Sequence, residues 1–313
     1  MKRHLKIAAA LFAVVAVHPA AAQTVATPSP LPAQKPATLV DATQFEVASA
    51  ISGRTYRVYV YKPLMPPPPE GYPVIYVTDG NGMFGTAAMQ MMLRQFGELR
   101  PAIIVGVGYP VSDIRQIMAL RNADLTPPTP AENIPPALKA MAGKDGLFGG
   151  AELFYRFMVE ELRPMLAAAY PVDLKDQTLL GDSLGGLFTL HVLFNHPESF
   201  RTFVAASPSI WWNRRAVLNE DAAFRTRVAA GKAAPRVLIT VGALEQKPGE
   251  NVEDASGMGR MVDNASELAA RLAAVSGSAG YEVRFVNFPE ETHSSVIPAA
   301  VSRGVGFALA GSK

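Results

Sequence analysis

The sequence predicts an α/β fold in which helices cover both faces of a mostly parallel β-sheet. β-rich segments alternate with helical periods along most of the 313 residues, and several of these segments are continuous apolar runs. Such runs are typical of strands that are buried on both sides. The composition, with 49% hydrophobic and 18% charged residues, is that of a globular protein.

The N-terminal 22 residues predict a secretory signal peptide that is cleaved after Ala22. Basic residues precede an apolar run at residues 7–17, and alanines follow at positions 20–22. The run is well short of the ~20 apolar residues that a membrane-spanning helix needs, and no later segment is long and apolar enough. We therefore expect a periplasmic or secreted protein without integral membrane association.

Removal of this leader changes the charge balance. The whole chain has a net charge of +2, and the leader contributes Lys2, Arg3 and Lys6 but no acidic residue. The mature chain therefore has 26 basic and 27 acidic residues and a net charge of −1. Without a basic stripe to neutralise phosphates, a nucleic-acid partner is excluded.

Residues 23–38 predict a disordered linker, because four prolines stand there among Ala, Thr and Gln. Residues 39–313 contain no second linker and no repeat, and ~275 residues suit one α/β domain. The chain has no cysteine, no His-Glu-x-x-His motif and no Gly-x-x-x-x-Gly-Lys run. Disulfides, a cysteine nucleophile, a metal site and a nucleotide cofactor are therefore not predicted.

Seven strands are predicted, and the first of them mixes polar and apolar residues, which favours antiparallel strands at the N-terminal side of the sheet. Apolar residues that recur every three or four positions predict helices at 153–166 and 258–275. The proline-rich stretch 118–150 is interpreted as a substrate-covering lid, with disorder as the alternative. The strands are placed at 55–61, 74–78, 103–107, 178–181, 202–206, 237–241 and 281–288.

The candidate nucleophile is Ser183, in the sequence Gly181-Asp182-Ser183-Leu184-Gly185. This pattern stands between a predicted strand and a predicted helix, which is the setting of a nucleophile elbow. The turn exposes the serine hydroxyl, and the glycines leave room for neighbouring backbone. The alternative is an ordinary glycine turn.

A serine hydroxyl needs a general base, usually a histidine. The mature chain has three histidines, of which His191 and His196 lie on or at the end of the helix that follows Ser183. That helix carries them away from the hydroxyl, so packing roles are expected for both. His293 follows the last predicted strand, where a loop can reach the elbow, and is the predicted base.

The third member of a triad should follow the strand at 237–241. Glu245 is the first acidic residue there, and the order serine, acid, histidine fits the fold. Glu250, Glu253 and Asp254 follow in the same loop as alternatives, and all four carboxylates are also compatible with simple solvation.

Acyl transfer also needs backbone donors that stabilise the oxyanion. The residue after the nucleophile, Leu184, supplies one of them. The second is expected from the Asp-Gly-Asn-Gly loop after the strand at 74–78, and Asn81 is the predicted donor. Turn formation alone would also explain that loop.

Several segments together resemble the Putative esterase family, and within it the periplasmic siderophore trilactone esterases. The likeness runs from about Phe45 to the C-terminus and implies an α/β-hydrolase fold that uses no metal or cofactor. The segments that carry it are Asp79-Gly80-Asn81, Arg121 to Pro127, Gly149 to Phe154, Glu161 to Pro164, Gly181 to Gly186 and Ser207 to Asn213.

By this resemblance Ser183 and His293 match the nucleophile and base of the family. Arg121 matches an arginine beside the active site that contacts an anionic substrate or the oxyanion, with a loop salt bridge as the alternative. Some trilactone esterases of the family lack a conventional third acid, so the acid position stays open. Trp211 and Trp212 follow a strand end and offer aromatic faces to a substrate ring, or are buried beneath the lid.

Together these patterns predict an exported serine esterase that hydrolyses a small carboxylic ester, such as a siderophore trilactone, through an acyl-enzyme. The alternative readings of the same scaffold are an acyltransferase and an exported binding protein without turnover.

Overall fold

Eight strands form one sheet in the computed structural model, which describes residues 37–141, 148–247, 258–276 and 279–310. The predicted signal peptide and residues 23–36 of the predicted linker lie outside the described residues. The strands are β1 (Ala42–Ala48), β2 (Thr55–Tyr61), β3 (Tyr72–Val77), β4 (Ile103–Gly108), β5 (Val172–Asp182), β6 (Thr202–Ala206), β7 (Arg236–Gly242) and β8 (Glu282–Phe288).

From β3 onwards helices lie between consecutive strands, and a further helix follows β8, so that the two kinds of element alternate along this part of the chain as predicted. The helix that begins at Ala151 continues through a π-helical turn, Phe157–Leu162, which immediately precedes the helix that contains Pro164. The helices are α1 (Gly80–Arg94), α2 (Ile114–Leu125), α3 (Pro136–Met141), α4 (Ala151–Arg156), α5 (Arg163–Ala169), α6 (Leu184–Asn195), α7 (Trp212–Arg215), α8 (Asp221–Ala229), α9 (Met261–Ala273) and α10 (Val296–Leu309).

The order of the strands across the sheet is β1-β2-β4-β3-β5-β6-β7-β8. β2 pairs antiparallel with β1 and with β4, and every other neighbouring pair in this order is parallel. The predicted mostly parallel sheet with antiparallel N-terminal strands is thus confirmed. Because parallel strands end at a common edge, the residues that follow β3, β5, β6, β7 and β8 meet there.

The two faces of the sheet build two apolar layers, because neighbouring residues of a strand point to opposite sides. Leu179 of β5 and Phe203 of β6 pack into the layer that includes α6 and α9. Leu180 and Val204, one residue further along, pack into the layer beneath α1 and α10. Helices on both faces explain why the central strands are continuous apolar runs.

Two local predictions differ from the structure. The sequence analysis missed β1, an edge strand in which only Val47 is buried, so its sequence carries no apolar alternation. Residues 80–83, expected in a loop, form the first turn of α1, which follows Asp79 directly. Glycines lower helix propensity, and here packing against β4 overrides it. Among the described helices, none is long and apolar enough to cross a membrane.

Two helical glycines should respond to alanine in opposite directions. A Cβ at Gly304 of α10 would lie 2.8 Å from Val204 Cγ1 and 2.9 Å from Leu180 Cδ1. Gly304→Ala should therefore lower the free energy of unfolding, by about 1–2 kcal/mol, through overpacking. At the exposed Gly85 of α1 a Cβ would have no neighbour within 4 Å, and Gly85→Ala should raise the same quantity by about 0.5–1 kcal/mol.

Urea unfolding of the two variants beside the unchanged protein measures both effects. Equal shifts of the two midpoints in the same direction would contradict the packing assigned to Gly304.

Candidate active site

Ser183 lies at the turn between β5 and α6, at the common edge of the parallel strands. Its backbone has φ 60° and ψ −118°, a conformation that residues other than glycine rarely adopt. The Ser183 N–H donates to the carbonyl of Ala206 at 3.0 Å, and the Ser183 carbonyl accepts from Ser209 N–H at 3.0 Å. These two hydrogen bonds brace the strained turn against β6 and the loop that follows it.

Two glycines of this turn are required by contact with other backbone and side-chain atoms. A Cβ at Gly181 would lie 2.2 Å from the carbonyl oxygen of Gly185, and a Cβ at Gly185 would lie 2.2 Å from Thr78 Oγ1. Both distances are far below van der Waals contact. The turn therefore has the tight geometry of a nucleophile elbow, and neither glycine position has space for a Cβ.

The structure brings Ser183, His293 and Glu245 into one hydrogen-bonded chain. Ser183 Oγ lies 3.1 Å from His293 Nε2, and His293 Nδ1 lies 2.6 Å from Glu245 Oε2. The three side chains come from the ends of β5, β8 and β7. Glu250, Glu253 and Asp254, the alternative acids, lie outside the described residues.

The environment of His293 suits a general base. The hydrogen bond that His293 donates to Glu245 raises the pKa of His293 above its ordinary 6.5, although partial burial acts in the opposite direction. The Glu245 side chain is only 1% exposed, whereas the His293 side chain is 45% exposed and reachable from solvent. A buried carboxylate behind an accessible imidazole stabilises the protonated form of the ring.

Two donors hold the second oxygen of the Glu245 carboxylate. Glu245 Oε1 accepts from the Gly242 N–H at 2.6 Å and from Ser207 Oγ at 2.6 Å. The loop that carries His293 is joined to the same turn, because Leu244 N–H donates to the Glu291 carbonyl at 2.9 Å. Acid and base are thus anchored to each other by backbone as well as by side chains.

Sequence reasoning missed the roles of Ser207 and Ser209, two fully buried serines in the loop after β6. Ser207 contacts Glu245, and Ser209 Oγ lies 3.4 Å from Ser183 Oγ. Both stand in the Ser-Pro-Ser sequence that contributed to the family resemblance. That motif was the available signal, but it does not reveal which side chain each hydroxyl contacts.

Asp182, the residue before the nucleophile, is buried beside the triad. Burial raises the pKa of Asp182 to about 7, opposed by the nearby charge of His293. Its Oδ1 has no hydrogen-bond partner within the described part of the chain. In its charged form the Asp182 carboxylate raises the pKa of His293 and so favours the imidazolium.

The two predicted oxyanion donors lie at helix starts. Leu184 and Asn81 are the first residue of α6 and the second residue of α1, and N–H groups at such positions have no partner within their own helix. The Asn81 side chain accepts from the Tyr109 N–H at 2.7 Å and donates to the Tyr109 carbonyl at 2.9 Å. These bonds fix the start of α1 to the end of β4.

Arg121 forms a bidentate ion pair with Asp79, whose two oxygens lie 2.7 and 2.8 Å from Nε and Nη2. Asp79 directly precedes α1 and has a left-handed backbone, with φ 54°. In this arrangement Arg121 holds the turn that presents Asn81. This contact agrees with the alternative interpretation of Arg121 as a salt-bridge residue. A role in direct substrate contact stays a prediction.

The two tryptophans have different environments. Trp212 is 2% exposed, donates from Nε1 to Thr129 Oγ1 at 2.7 Å, and stacks on Phe148. These contacts favour the burial alternative for Trp212, whereas Trp211 is only partly buried. Thr129 and Phe148 belong to the proline-rich stretch 118–150, whose residues 142–147 lie outside the described ranges, so the lid stays a prediction.

The short element α7, which begins at Trp212, has a strained backbone rather than regular helical geometry. Asn213, Arg214 and Arg215 have positive φ angles of 48°, 54° and 64° in succession. The Asn213 Oδ1 accepts from Asn133 Nδ2 at 2.7 Å, which joins this element to the proline-rich stretch.

The other two histidines lie away from the nucleophile and have local partners. His191 Nδ1 contacts Glu220 at 2.8 Å, and His196 Nε2 contacts Glu152 at 3.0 Å. Within the described residues, no group of three or more histidine, aspartate and glutamate side chains could hold a metal ion.

Comparisons with known proteins agree with this geometry. The model of the Putative esterase family matches residues 49–282. The chain is 38% identical over 267 residues to the ferri-bacillibactin esterase BesA of Bacillus subtilis, covering 84% of this chain and 88% of that protein. It is 36% identical over 250 residues to the siderophore enterobactin esterase of Emericella nidulans, covering 74% and 80% of the two chains.

A solved structure, the BES protein from Bacillus cereus, superposes with a TM-score of 0.76 at 31% identity, covering 90% of this chain and 99% of that one. This likeness confirms the predicted α/β-hydrolase fold. The matched relatives are esterases, so the chain is a hydrolase of carboxylic esters. The strand order, the elbow and the extent of the family match together lead to one conclusion: this chain belongs to the Putative esterase family.

Proposed function

We propose that the protein is an exported serine esterase that cleaves siderophore esters through an acyl-enzyme. The observation that carries the serine mechanism is the hydrogen-bonded chain from Ser183 through His293 to Glu245. The names of the relatives support a siderophore substrate, and the predicted signal peptide supports export.

In the first half of the reaction, Ser183 Oγ attacks the ester carbonyl carbon while His293 Nε2 takes the hydroxyl proton. The 3.1 Å separation of these two atoms allows direct proton transfer. Glu245 keeps the other ring nitrogen protonated and stabilises the imidazolium that forms. His293 then gives its proton to the leaving alcohol, and the acyl group stays on Ser183.

In the second half, water attacks the acyl-enzyme and His293 takes a proton from it. Collapse of the second tetrahedral intermediate breaks the bond between the acyl carbon and Ser183 Oγ, and the proton returns to that oxygen. In both halves the negative charge on the carbonyl oxygen is stabilised by the N–H groups of Leu184 and Asn81, in the roles proposed for them. The starts of α6 and α1 add the positive ends of two helix dipoles.

The substrate class follows from the relatives and from the groups near the site. The relatives are named for ferri-bacillibactin, triacetylfusarinine C and enterobactin. The partly buried Trp211 is the residue we assign to an aromatic ring of the substrate, and Arg121 to an anionic group at the edge of the site. Arg121 would then contact substrate while it keeps its bond to Asp79.

The substrate assignment is tested by incubation of the purified mature chain with a tricatechol trilactone and with a short p-nitrophenyl ester. We expect cleavage of both, with a strong preference for the trilactone. Cleavage of the simple ester alone would remove the siderophore assignment. Transfer of the acyl group to an added alcohol without hydrolysis would indicate an acyltransferase, and binding without turnover would indicate a binding protein.

Loss of the nucleophile or the base should abolish turnover. We expect Ser183→Ala and His293→Ala each to lower kcat/KM by about 10,000-fold or more, because the members of such a unit do not act additively. His196→Ala, which removes a side chain that contacts Glu152 and Tyr155, is the matched control and should keep activity. Retention of turnover in Ser183→Ala would refute the serine mechanism.

Glu245→Gln should change both the rate and its pH dependence. Only the neutral imidazole can accept a proton, so kcat/KM should fall as the pH drops through the pKa of His293, which lies above 6.5. Because Glu245 raises that pKa, the fall should occur at lower pH in Glu245→Gln. We also expect kcat to decrease by about 100- to 10,000-fold.

The measurement is the pH profile of kcat/KM for the variant and the unchanged protein. Glu220→Gln, which alters the carboxylate beside His191 instead, is the control and should leave the profile unchanged. An unaltered profile and rate in Glu245→Gln would remove Glu245 from the mechanism.

A further inference from the structure

Ser207 stands directly behind the acid of the triad. Its hydroxyl donates to Glu245 Oε1 at 2.6 Å, and the residue has no exposed surface. The hydroxyl is therefore shielded from water, and its hydrogen bond to a buried carboxylate is charge-assisted and strong.

The backbone places this hydroxyl with little freedom. Ser207 has φ 39°, which is in the left-handed region that residues other than glycine rarely adopt. Its N–H donates to the Thr240 carbonyl at 2.8 Å, so the start of the loop is fixed to β7. A strained backbone conformation persists only where many surrounding contacts hold it in place. Here that conformation directs the Ser207 side chain toward Glu245.

The geometry of the carboxylate explains why its far oxygen needs a partner. The terminal torsion of a glutamate is broad, so one hydrogen bond does not fix the plane of the group. Oε2 contacts His293 Nδ1, while Oε1 receives two donors, the Gly242 N–H and the Ser207 hydroxyl. The two donors hold Oε1 away from the imidazole and leave Oε2 facing it.

We propose that Ser207 is a positioning residue for ester hydrolysis, which orients the Glu245 carboxylate so that Oε2 faces His293. The proposal rests on the proposed function of the triad. Ser207 contacts neither the substrate nor the reacting atoms and acts through Glu245. Its partner in the same loop, Ser209, contacts Ser183 instead, so one short loop contacts both the acid and the nucleophile.

The primary test is Ser207→Ala, which removes the hydroxyl but keeps a Cβ, so the backbone preference changes little. We expect kcat to fall by about 10- to 100-fold with KM unchanged, as for loss of a hydrogen bond to a charged group. The matched control is Thr202→Val on β6, a buried hydroxyl that has no hydrogen-bond partner among the described residues. Thr202→Val should keep kcat.

A second measurement separates positioning from a merely structural role. We would make Ser207→Ala also in a Glu245→Ala background and measure the rate at which a fluorophosphonate labels Ser183. If Ser207 acts through Glu245, its removal should slow labelling about 10-fold or more in the native background and have no effect in the second. An equal factor in both backgrounds, or no effect in either, would overturn the proposal.

Two further arms keep the outcome clear. If Ser207→Ala does not fold, Ser207→Cys replaces it, since a thiol of similar size is a weaker donor and should give intermediate activity. Activity equal to that of the native protein in a folded Ser207→Cys would overturn the proposal. Labelling that is equally fast in Ser183→Ala would refute the serine mechanism and with it the role of Ser207, whereas Ser183-dependent labelling without any effect of Ser207→Ala would refute only the latter.

Discussion

The placement of His293 between Ser183 and Glu245 is the constraint on which the rest of the site depends. The imidazole must lie within hydrogen-bond distance of both side chains at once, although the three residues follow three different strands. Only a sheet in which β5, β7 and β8 run in the same direction brings their ends to one edge. The buried apolar layers on both faces fix the spacing of those strands, so the chemistry depends on core packing far from the reacting atoms.

β6 has an equally important part, although it carries no member of the triad. It lies between β5 and β7 in the sheet, and the loop that follows it contacts Ser183 on one side and Glu245 on the other. The Ala206 carbonyl also accepts the Ser183 N–H. Through these contacts the turn that carries Ser183 and the turn that carries Glu245 share one support, which fixes their separation.

Much of this arrangement could be predicted from sequence, because strong local signals coincide with the chemistry. Three local features predicted the structure around them. The apolar runs predicted the buried central strands, the glycines around Ser183 predicted a tight turn, and the position of His293 after the last strand predicted its place at the edge of the sheet. Glu245 was predicted as the triad acid from the order of residues along the chain. The other acidic residues of the same loop could not be excluded from that role without interatomic distances. β1 and the first turn of α1 were missed because their local sequences carry weak or opposing propensities. The contacts of Ser207 depend on a left-handed backbone and on β7, which no spacing along the chain reveals.

The contact between Gly185 and Thr78 also limits how this chain can change over evolutionary time. A side chain at position 185 would occupy the space that the Thr78 hydroxyl now fills, at 2.2 Å from the Cβ position. A residue larger than glycine at position 185 therefore requires a smaller residue at position 78 or a displaced Thr78 side chain. Substitutions at these two positions are thus coupled, and the coupling ties the turn that presents Ser183 to the residue that follows β3.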